Sequence, residues 1–346
     1  MQGRLGKLHD MDQGHLDIAR DGAQKPATDR LMSFQRLKPS SALELEAYDI
    51  DHFGETERYA GASSMPLSPG AKAIMRARLG LPNLTLSLVK TFPRIIRGYR
   101  LMNAAAVVVP MDHVTSACIN GQSIDRSIVM LRGASDCLVH EPEGRLIAVV
   151  YFTPPPREPW TQLGDGYHLA NPAPDVLASL QHLVSVTLEI AAHDPDFLKA
   201  PASLTAVEQS LLSTMEAALC TSGKRRSVPA TMEGYRRIVA DMERLIQHNL
   251  TIWLKTPELA EQVGVSVRTL QSATQAICGI SPNRYSRILR LWSVRKQLRI
   301  GAGQRSVKSC AMAHGFWHLG EFAASYKAAF GELPSETLQR AMRETL

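Results

Sequence analysis

Thr256-Pro-Glu-Leu-Ala260-Glu-Gln-Val-Gly264-Val-Ser266-Val-Arg268-Thr-Leu270 is the stretch whose reading decides the fold of the last third of the chain. A small residue is needed where two helices cross, and Ala260 supplies it. Gly264, four positions on, tolerates a left-handed turn. Leu270 then anchors a second helix to the core. The same grammar recurs in Ser306-Val-Lys-Ser-Cys-Ala311-Met-Ala-His-Gly315-Phe316-Trp-His-Leu-Gly-Glu-Phe322, with Ala311, Gly315 and Phe322 in the matching roles. One such pattern is a common accident. Two at this separation predict paired helix-turn-helix units.

Working outward, Thr256 is expected to cap the first helix with Pro257 at its start, and Ser266 to cap a second helix ending at Cys278-Gly279. Its exposed face should carry Arg268, Thr269, Gln271, Ser272 and Gln275, whose donors and acceptors suit guanine and adenine edges in the major groove. The plain reading of the same residues is a solvated polar face. Ser281-Pro282 opens a connector helix through Tyr285, Ile288, Leu289, Trp292 and Leu298 to Gly301. At about 1.5 Å per residue it separates the motifs by ~27 Å, against ~34 Å between adjacent major grooves on one face of B-DNA. Arg284, Arg287, Arg290 and Arg295 lie along it, facing either phosphates or solvent. A preceding helix is expected over Arg236–His248 from Ile238, Met242, Leu245 and Ile246.

These residues resemble the AraC/XylS family of bacterial transcription regulators. The resemblance rests on Gly264-Val-Ser-Val-Arg-Thr-Leu-Gln271, Ile280-Ser-Pro-Asn-Arg-Tyr285, Gly315-Phe-Trp-His-Leu-Gly320 and Phe330-Gly-Glu-Leu-Pro-Ser-Glu336, and it is strong over about residues 235–340. It implies a DNA-binding regulator, more often an activator, that meets double-stranded promoter DNA and RNA polymerase and commonly forms a homodimer. It also implies DNA contacts from the helix after each turn: Arg268, Gln271 and Ser272 in the first, and residues around Trp317–Lys327 in the second, among them Trp317, His318, Glu321, Ser325 and Lys327. The second helix departs from the family pattern. Glu321 repels phosphate unless it accepts from a cytosine amino group, and Ala324 offers only a methyl contact. Shape and phosphate readout are therefore expected there.

Charge distribution agrees with an anionic partner for this segment. Residues 230–346 hold 16 Lys and Arg against 9 Asp and Glu, whereas residues 1–229 hold 23 against 24. Lys224-Arg225-Arg226 lies just upstream. The five cysteines are scattered without a Cys-x-x-Cys pair, which points to a reducing cytoplasm and away from a structural zinc site. Neither Ala104–Val109 nor Leu146–Phe152 is long enough to span a bilayer, and the opening 40 residues lack a signal-peptide pattern. A cytoplasmic protein without a membrane partner is expected.

The predicted fold class is α+β: an N-terminal cupin-like β-barrel or jelly roll followed by helices, then an all-α double helix-turn-helix domain. The boundaries are a flexible tail at 1–40, a cupin-like effector-sensing domain at 41–160, a helical segment suited to dimerisation at 161–220, a linker at 221–231 and the DNA-binding domain at 232–346. Strands are read at Leu84–Val89, Ala104–Val109, Ile128–Leu131 and Leu146–Phe152. Turns are read at Gly98, Asn120-Gly121, Arg132-Gly133 and Pro142-Glu-Gly144, and Pro154-Pro-Pro156 closes the set. Two helical stripes follow, Val176, Leu177, Leu180, Leu183, Val184 and Leu188, then Leu204, Val207, Leu211, Leu212 and Met215; they pack on the barrel or form a dimer seam.

The resemblance implies that the barrel senses a small molecule. Lys90-Thr-Phe-Pro-Arg94-Ile-Ile-Arg97-Gly-Tyr99-Arg100 gathers four cations, which fits either an anionic effector with Tyr99 stacking on it or a basic outer strand face. Lys90-x-x-x-Arg94 with Asp125-Arg-Ser127 loosely resembles the signature of PilZ-type cyclic diguanylate receptors, departing from it at Lys90 and at Met130. The effector site is thus read as Lys90, Arg94, Arg97, Tyr99, Arg100, Asp125 and Ser127, with cyclic diguanylate as the leading effector and a small metabolite or fatty-acid-like ligand as the alternative. No catalytic residue, metal or cofactor is expected. A cupin-type enzyme would need more than His113 and His140, and a protein-binding adaptor is the remaining rival class.

Overall fold

The computed structural model describes residues 34–344, apart from 53–61, 69–72, 114–115, 154–163, 221–228 and 301–304. The tail over residues 1–33, the proline run Pro154–Pro156, the triplet Lys224–Arg226 and the helix stop at Gly301 lie outside the described residues. The antiparallel sheet comprises β1 (Leu43–Asp49), β2 (Ser63–Pro66), β3 (Ala73–Gly80), β4 (Leu84–Lys90), β5 (Arg94–Pro110), β6 (Cys118–Ile119), β7 (Gln122–Ser123), β8 (Ile128–Glu141), β9 (Leu146–Phe152) and β10 (Gly166–Ala170). Its order is β1-β3-β4-β9-β5-β8-β6-β7, with β2 joined to β5 and β10 to β8.

The length of β5 makes the sheet curl. Its first turn of chain, Arg94–Arg97, pairs with β2, while Ala105–Pro110 pairs with β9, and β8 follows both halves. The ladder slips between Arg97 and Tyr99 and again between Arg100 and Ala105. Gly98 and Gly133, read from sequence as turns, are therefore left-handed residues inside two long strands, where bulges bend the sheet. Asn120-Gly121 does turn a hairpin, between β6 and β7. β10 also falls within the stretch expected to be helical, and β1, β2 and β3 precede the first strand read from the sequence.

Both faces of the sheet are buried, which is why its strands are so apolar. On one face Leu86, Leu88, Val107, Ile128 and Val150 pack against α1 (Pro174–His193) and α2 (Pro201–Cys220) through Leu180, Val184, Leu188, Leu211 and Met215. The buried members of the two helical stripes are thus spent on the sheet and on each other, while Leu183, Leu204, Val207 and Leu212 stay half-exposed. α1 is long and apolar enough to cross a membrane by length and composition, but Leu180, Val184, Leu188 and Ala191 are fully buried in this interface. Glu208 on α2 accepts from the Asn83 backbone N at 2.8 Å and from its Nδ2 at 2.6 Å, fixing the helix to the β3–β4 turn. Phe34 and Leu37 are buried and Ser40 Oγ donates to the Ala191 carbonyl at 2.5 Å, so residues 34–40 are packed rather than part of a tail.

The other face encloses a cavity and continues into the core of the helical domain. That domain comprises α3 (Ala230–His248), α4 (Thr256–Val263), α5 (Val267–Cys278), α6 (Pro282–Ile300), α7 (Val307–Ala313), α8 (Leu319–Phe330) and α9 (Pro334–Glu344). The cap of α4 is Lys255, whose backbone N donates to Glu258 Oε2 at 2.7 Å. Thr256 is already helical and donates instead to Asn283 Oδ1 at 3.0 Å. The end of α5 seats on the sheet: a Cβ at Gly279, where φ is +69°, would lie 2.0 Å from the His140 ring.

Gly279→Ala should consequently destabilise the protein by about 1–2 kcal/mol from the left-handed backbone alone, with a further cost for displacing His140. Urea unfolding of the full chain checks this; an unchanged midpoint would mean the domains do not meet at Gly279.

Candidate nucleic-acid interface and effector cavity

Each motif is built by local rules. In the first, Ser266 Oγ accepts from the Thr269 backbone N at 3.1 Å, Gly264 takes φ of +77°, and Ala260 and Leu270 are buried at the helix crossing. Arg268, Gln271, Ser272 and Gln275 are exposed on α5 as one polar row. Thr269 is half-buried, its Oγ1 2.8 Å from Ser266 Oγ, and Gln275 Nε2 donates to the Gly279 carbonyl at 3.2 Å. Those two serve the helix ends, which leaves Arg268, Gln271 and Ser272 as the open side chains.

In the second motif Ser306 Oγ accepts from the Ser309 backbone N at 3.1 Å, and Gly315 takes φ of +79°. Trp317 is 61% exposed at the start of α8, and His318, Glu321 and Lys327 are exposed beside it. Ser325 is half-buried: its Oγ donates to the Glu321 carbonyl at 2.6 Å and accepts from Arg287 Nη2. Phe322, Tyr326 and Phe330 form the opposite, buried edge of α8 in a chain of ring contacts with Phe316.

The connector arginines behave differently from expectation. Arg290 is fully buried and donates to the carbonyls of Leu250, Asn249 (3.1 Å), Ile252 (2.7 Å) and His314 (3.2 Å), with its guanidinium 5.0 Å from the centre of the Trp253 ring. Burial lowers its pKa to about 10, so it stays cationic at neutral pH. Arg295 is also buried and pairs with Asp51, while Arg284 donates to the Leu67 carbonyl at 2.8 Å. Arg290 is an internal tie, whereas Arg295 and Arg284 both reach the sheet domain. Arg290 lies about 200° around the helix from Trp292, away from the apolar stripe of Tyr285, Leu289 and Trp292, so its burial leaves no trace in the spacing.

In the sheet domain a cavity of about 700 Å³, its mouth included, is lined by apolar side chains such as Val89, Ile96, Val108, Ile119, Val129 and Val149. Its polar wall is the buried pair Arg94 and Glu141, with Arg94 Nε donating to Glu141 Oε2 at 2.7 Å and Thr91 Oγ1 donating to the same oxygen at 3.3 Å. The seven residues read from sequence as one effector site are divided. Arg94 and Tyr99 line the cavity. Arg97 points to the other side, where its Nε lies 2.9 Å from Glu243 Oε2 on α3. Lys90 and Arg100 are exposed. Asp125 accepts from the Ala117 backbone N and from Ser123 Oγ, both at 2.9 Å, and Ser127 Oγ donates to Asn171 Oδ1 at 2.6 Å. The physical reason is the two-residue period of a strand, which sends Arg94 and Ile96 inward and Arg97 outward; the bulge at Gly98 then returns Tyr99 to the cavity.

Sequence reasoning did not reach the contacts between the domains. Glu243 is buried, accepts from Tyr285 Oη as well as from Arg97, and has its pKa raised by desolvation, against the pull of Arg97. Asp51 accepts from Arg295 Nε at 2.7 Å and Nη2 at 2.6 Å. Both carboxylates sit where charge is costly unless it is paired. Of the two histidines weighed as barrel ligands, His113 is exposed and His140 lies against Gly279.

Residues 259–340 match the helix-turn-helix domain family. The XylDLEGF operon transcriptional activator of Pseudomonas putida is 36% identical over 111 residues, 32% of this chain and 33% of that protein. The XylDLEGF operon transcriptional activator 2 of Pseudomonas putida is 31% identical over 133 residues, 38% of this chain and 80% of that protein. The crystal structure of a probable AraC family transcriptional regulator from Rhodopseudomonas palustris CGA009 is 36% identical, covering 30% of this chain and 97% of that one at a TM-score of 0.28. The chain spans about a third of the length of the first of these relatives, and the shared part is the helical domain. Motifs and matches together define the class, a chain with a helix-turn-helix domain of the transcription-regulator kind over its last third. The chain belongs to the AraC/XylS family.

Two outcomes are expected. Arg290→Met orphans four carbonyls and should abolish the fold of the helical domain, at a cost of several kcal/mol, whereas Arg268→Ala should leave thermal melting unchanged. Burial lowers the pKa values of His140 and His314. The unfolded chain therefore takes up these protons just below pH ~6.5, and the folded chain only at lower pH. Stability is whole above that value and falls as pH drops through the window. His314→Gln should shrink the loss in Tm between pH 7 and pH 5.5; an equal loss would assign the acid sensitivity to other groups.

Proposed function

We propose that this chain is an effector-responsive, sequence-specific DNA-binding regulator that activates transcription in the cytoplasm, with double-stranded promoter DNA and RNA polymerase as its partners. The observation that carries this reading is the open row Arg268, Gln271 and Ser272 on α5, paired through one rigid connector with the exposed start of α8. Arg268 suits the O6 and N7 of guanine, and Gln271 the N6 and N7 of adenine. The second surface, with Trp317, His318, Glu321 and Lys327, suits backbone, shape and thymine-methyl contacts more than bidentate readout. The names of the Pseudomonas relatives, operon activators, support activation over repression. A homodimer remains part of the reading.

The cavity supports a compact, largely apolar effector with one polar end. Arg94 is already neutralised by Glu141 inside an apolar wall. A carboxylate or phosphate entering there must displace Glu141 and leave it buried and charged, which is costly. An uncharged hydroxyl or carbonyl meets no such penalty. The small-metabolite alternative is favoured over cyclic diguanylate on this ground, because two phosphates need guanidinium groups gathered together and Arg94 and Arg97 face opposite ways.

Random-duplex selection on the full chain should enrich a defined motif, and Arg268→Ala or Gln271→Ala should each relax one or two positions by about 1–3 kcal/mol. Absence of any enrichment, with and without candidate effectors, contradicts the reading. In a thermal-shift screen of apolar small molecules and cyclic dinucleotides, Val149→Trp should remove the response to apolar hits while DNA selection persists. A shift from cyclic diguanylate alone would overturn the effector assignment.

A further inference from the structure

Asp51 lies in the short 3-10 turn Ile50–His52 directly after β1, within the sheet domain, yet its carboxylate completes the polar core of the second helix-turn-helix unit. It is 4% exposed and faces three guanidinium groups of the helical domain. Arg295 on α6 binds it bidentately at 2.7 and 2.6 Å, Arg340 on α9 reaches it at 3.1 Å, and Arg299 on α6 at 3.5 Å. Glu332 is the other carboxylate of the cluster, 2.9 Å from Arg295 and 3.0 Å from Arg340, and Asp49 adds a 3.4 Å contact to Arg340.

Arg295 in turn holds α8. Its guanidinium lies 4.7 Å from the centre of the Phe330 ring and 3.5 Å from Tyr326 Oη, and Tyr326 donates to Thr337 Oγ1 on α9 at 2.9 Å. Burial opposes charge on Arg295, yet the Asp51 carboxylate holds its pKa above the ordinary arginine value. Without Asp51, Arg295 and Arg340 would share the half-buried Glu332, and Arg299 would keep only Glu344, 3.6 Å away at the rim. A chain of contacts therefore runs from the sheet domain through Asp51 and Arg295 to Tyr326 and Phe330, the buried edge of the helix whose other face carries Glu321 and Lys327. No ionic tie reaches α5 itself among the described residues; the first unit meets the sheet through Gly279 and Ala276, and through Glu243 of the preceding α3, which pairs with Arg97.

We infer that Asp51 is a positioning residue for DNA recognition: the sheet domain supplies the counter-charge that sets α8, so the second motif reads DNA only while Asp51 is seated on Arg295. The first motif does not depend on this contact. The inference rests on the reading that both motifs bind duplex DNA, and it makes recognition by the second half conditional on how the sheet domain is docked.

Random-duplex selection with full-length wild type and Asp51→Asn tests it. Wild type should yield a motif of two blocks about one helical turn apart. Asp51→Asn should keep the first block and lose the second, with affinity for the two-block duplex falling about tenfold or more, the equivalent of a lost base contact. Affinity for a duplex carrying the first block alone should stay unchanged. Hydrogen exchange should show α8 and α9 deprotected and α3 to α5 as in wild type. Asp51→Glu, which keeps the charge, should recover the second block. If Asp51→Asn does not fold, Arg340→Met carries the test, with weaker binding to the two-block duplex and unchanged binding to the duplex carrying the first block alone. Identical two-block motifs and affinities in all variants overturn the inference. Failure of the wild type to select any motif overturns the DNA-binding reading instead.

Discussion

The guanidinium of Arg290 is the constraint on which the helical domain depends. Two helix-turn-helix units share one connector, and the loop before the first unit and the turn of the second present backbone carbonyls that point inward, away from water. An arginine is suited to this task because it presents five N–H donors in a rigid plane, and Arg290 spends them on carbonyls of Asn249, Leu250 and Ile252 before the first motif and of His314 at the turn of the second. The Trp253 ring covers the remaining face. A single buried side chain thereby fixes the loop after α3, the connector and the second turn relative to one another. Lysine could not replace it, since one ammonium cannot span four carbonyls in a plane.

The junction between the domains follows a related logic with the charges reversed. Here buried carboxylates, Asp51 from the sheet side and Glu243 from the helical side, each receive arginine from across the boundary. Such pairs add little net stability, because desolvation offsets most of the attraction, but they are intolerant of displacement. That property suits a junction with two discrete arrangements. Arg97 sits on β5 between Ile96 and Gly98, which line the cavity, so the strand that would feel a bound molecule also carries the contact to α3. A ligand influences the DNA-binding half only through a difference in affinity for two such arrangements.

Much of the helical domain was legible in the sequence because its signals are local. Ala260, Gly264, Ser266 and Leu270 are fixed by steric and hydrogen-bonding needs that reach no further than a turn or two of helix, and the structure places them where those needs dictate. The strands at Leu84–Lys90 and Leu146–Phe152 were legible for the same reason, being short, apolar and bounded by turns. Gly98 and Gly133 misled because a left-handed residue marks a bulge as readily as a turn. Only the partner strand, running on beside it, distinguishes the two. The basic run Lys90–Arg100 misled because proximity along a strand is not proximity in space.

By itself, then, the sequence determined the family, the two recognition units, their caps and the side chains they expose, since each is a property of contiguous residues. Tertiary structure alone decided which arginines are ties and which are open. It decided that Arg94 is neutralised in an apolar cavity while Arg97 faces α3. It also brought Asp51 to Arg295 across 244 positions of sequence. Charge pairing of this kind depends on burial and on the meeting of distant elements, and neither leaves a periodic trace along the chain.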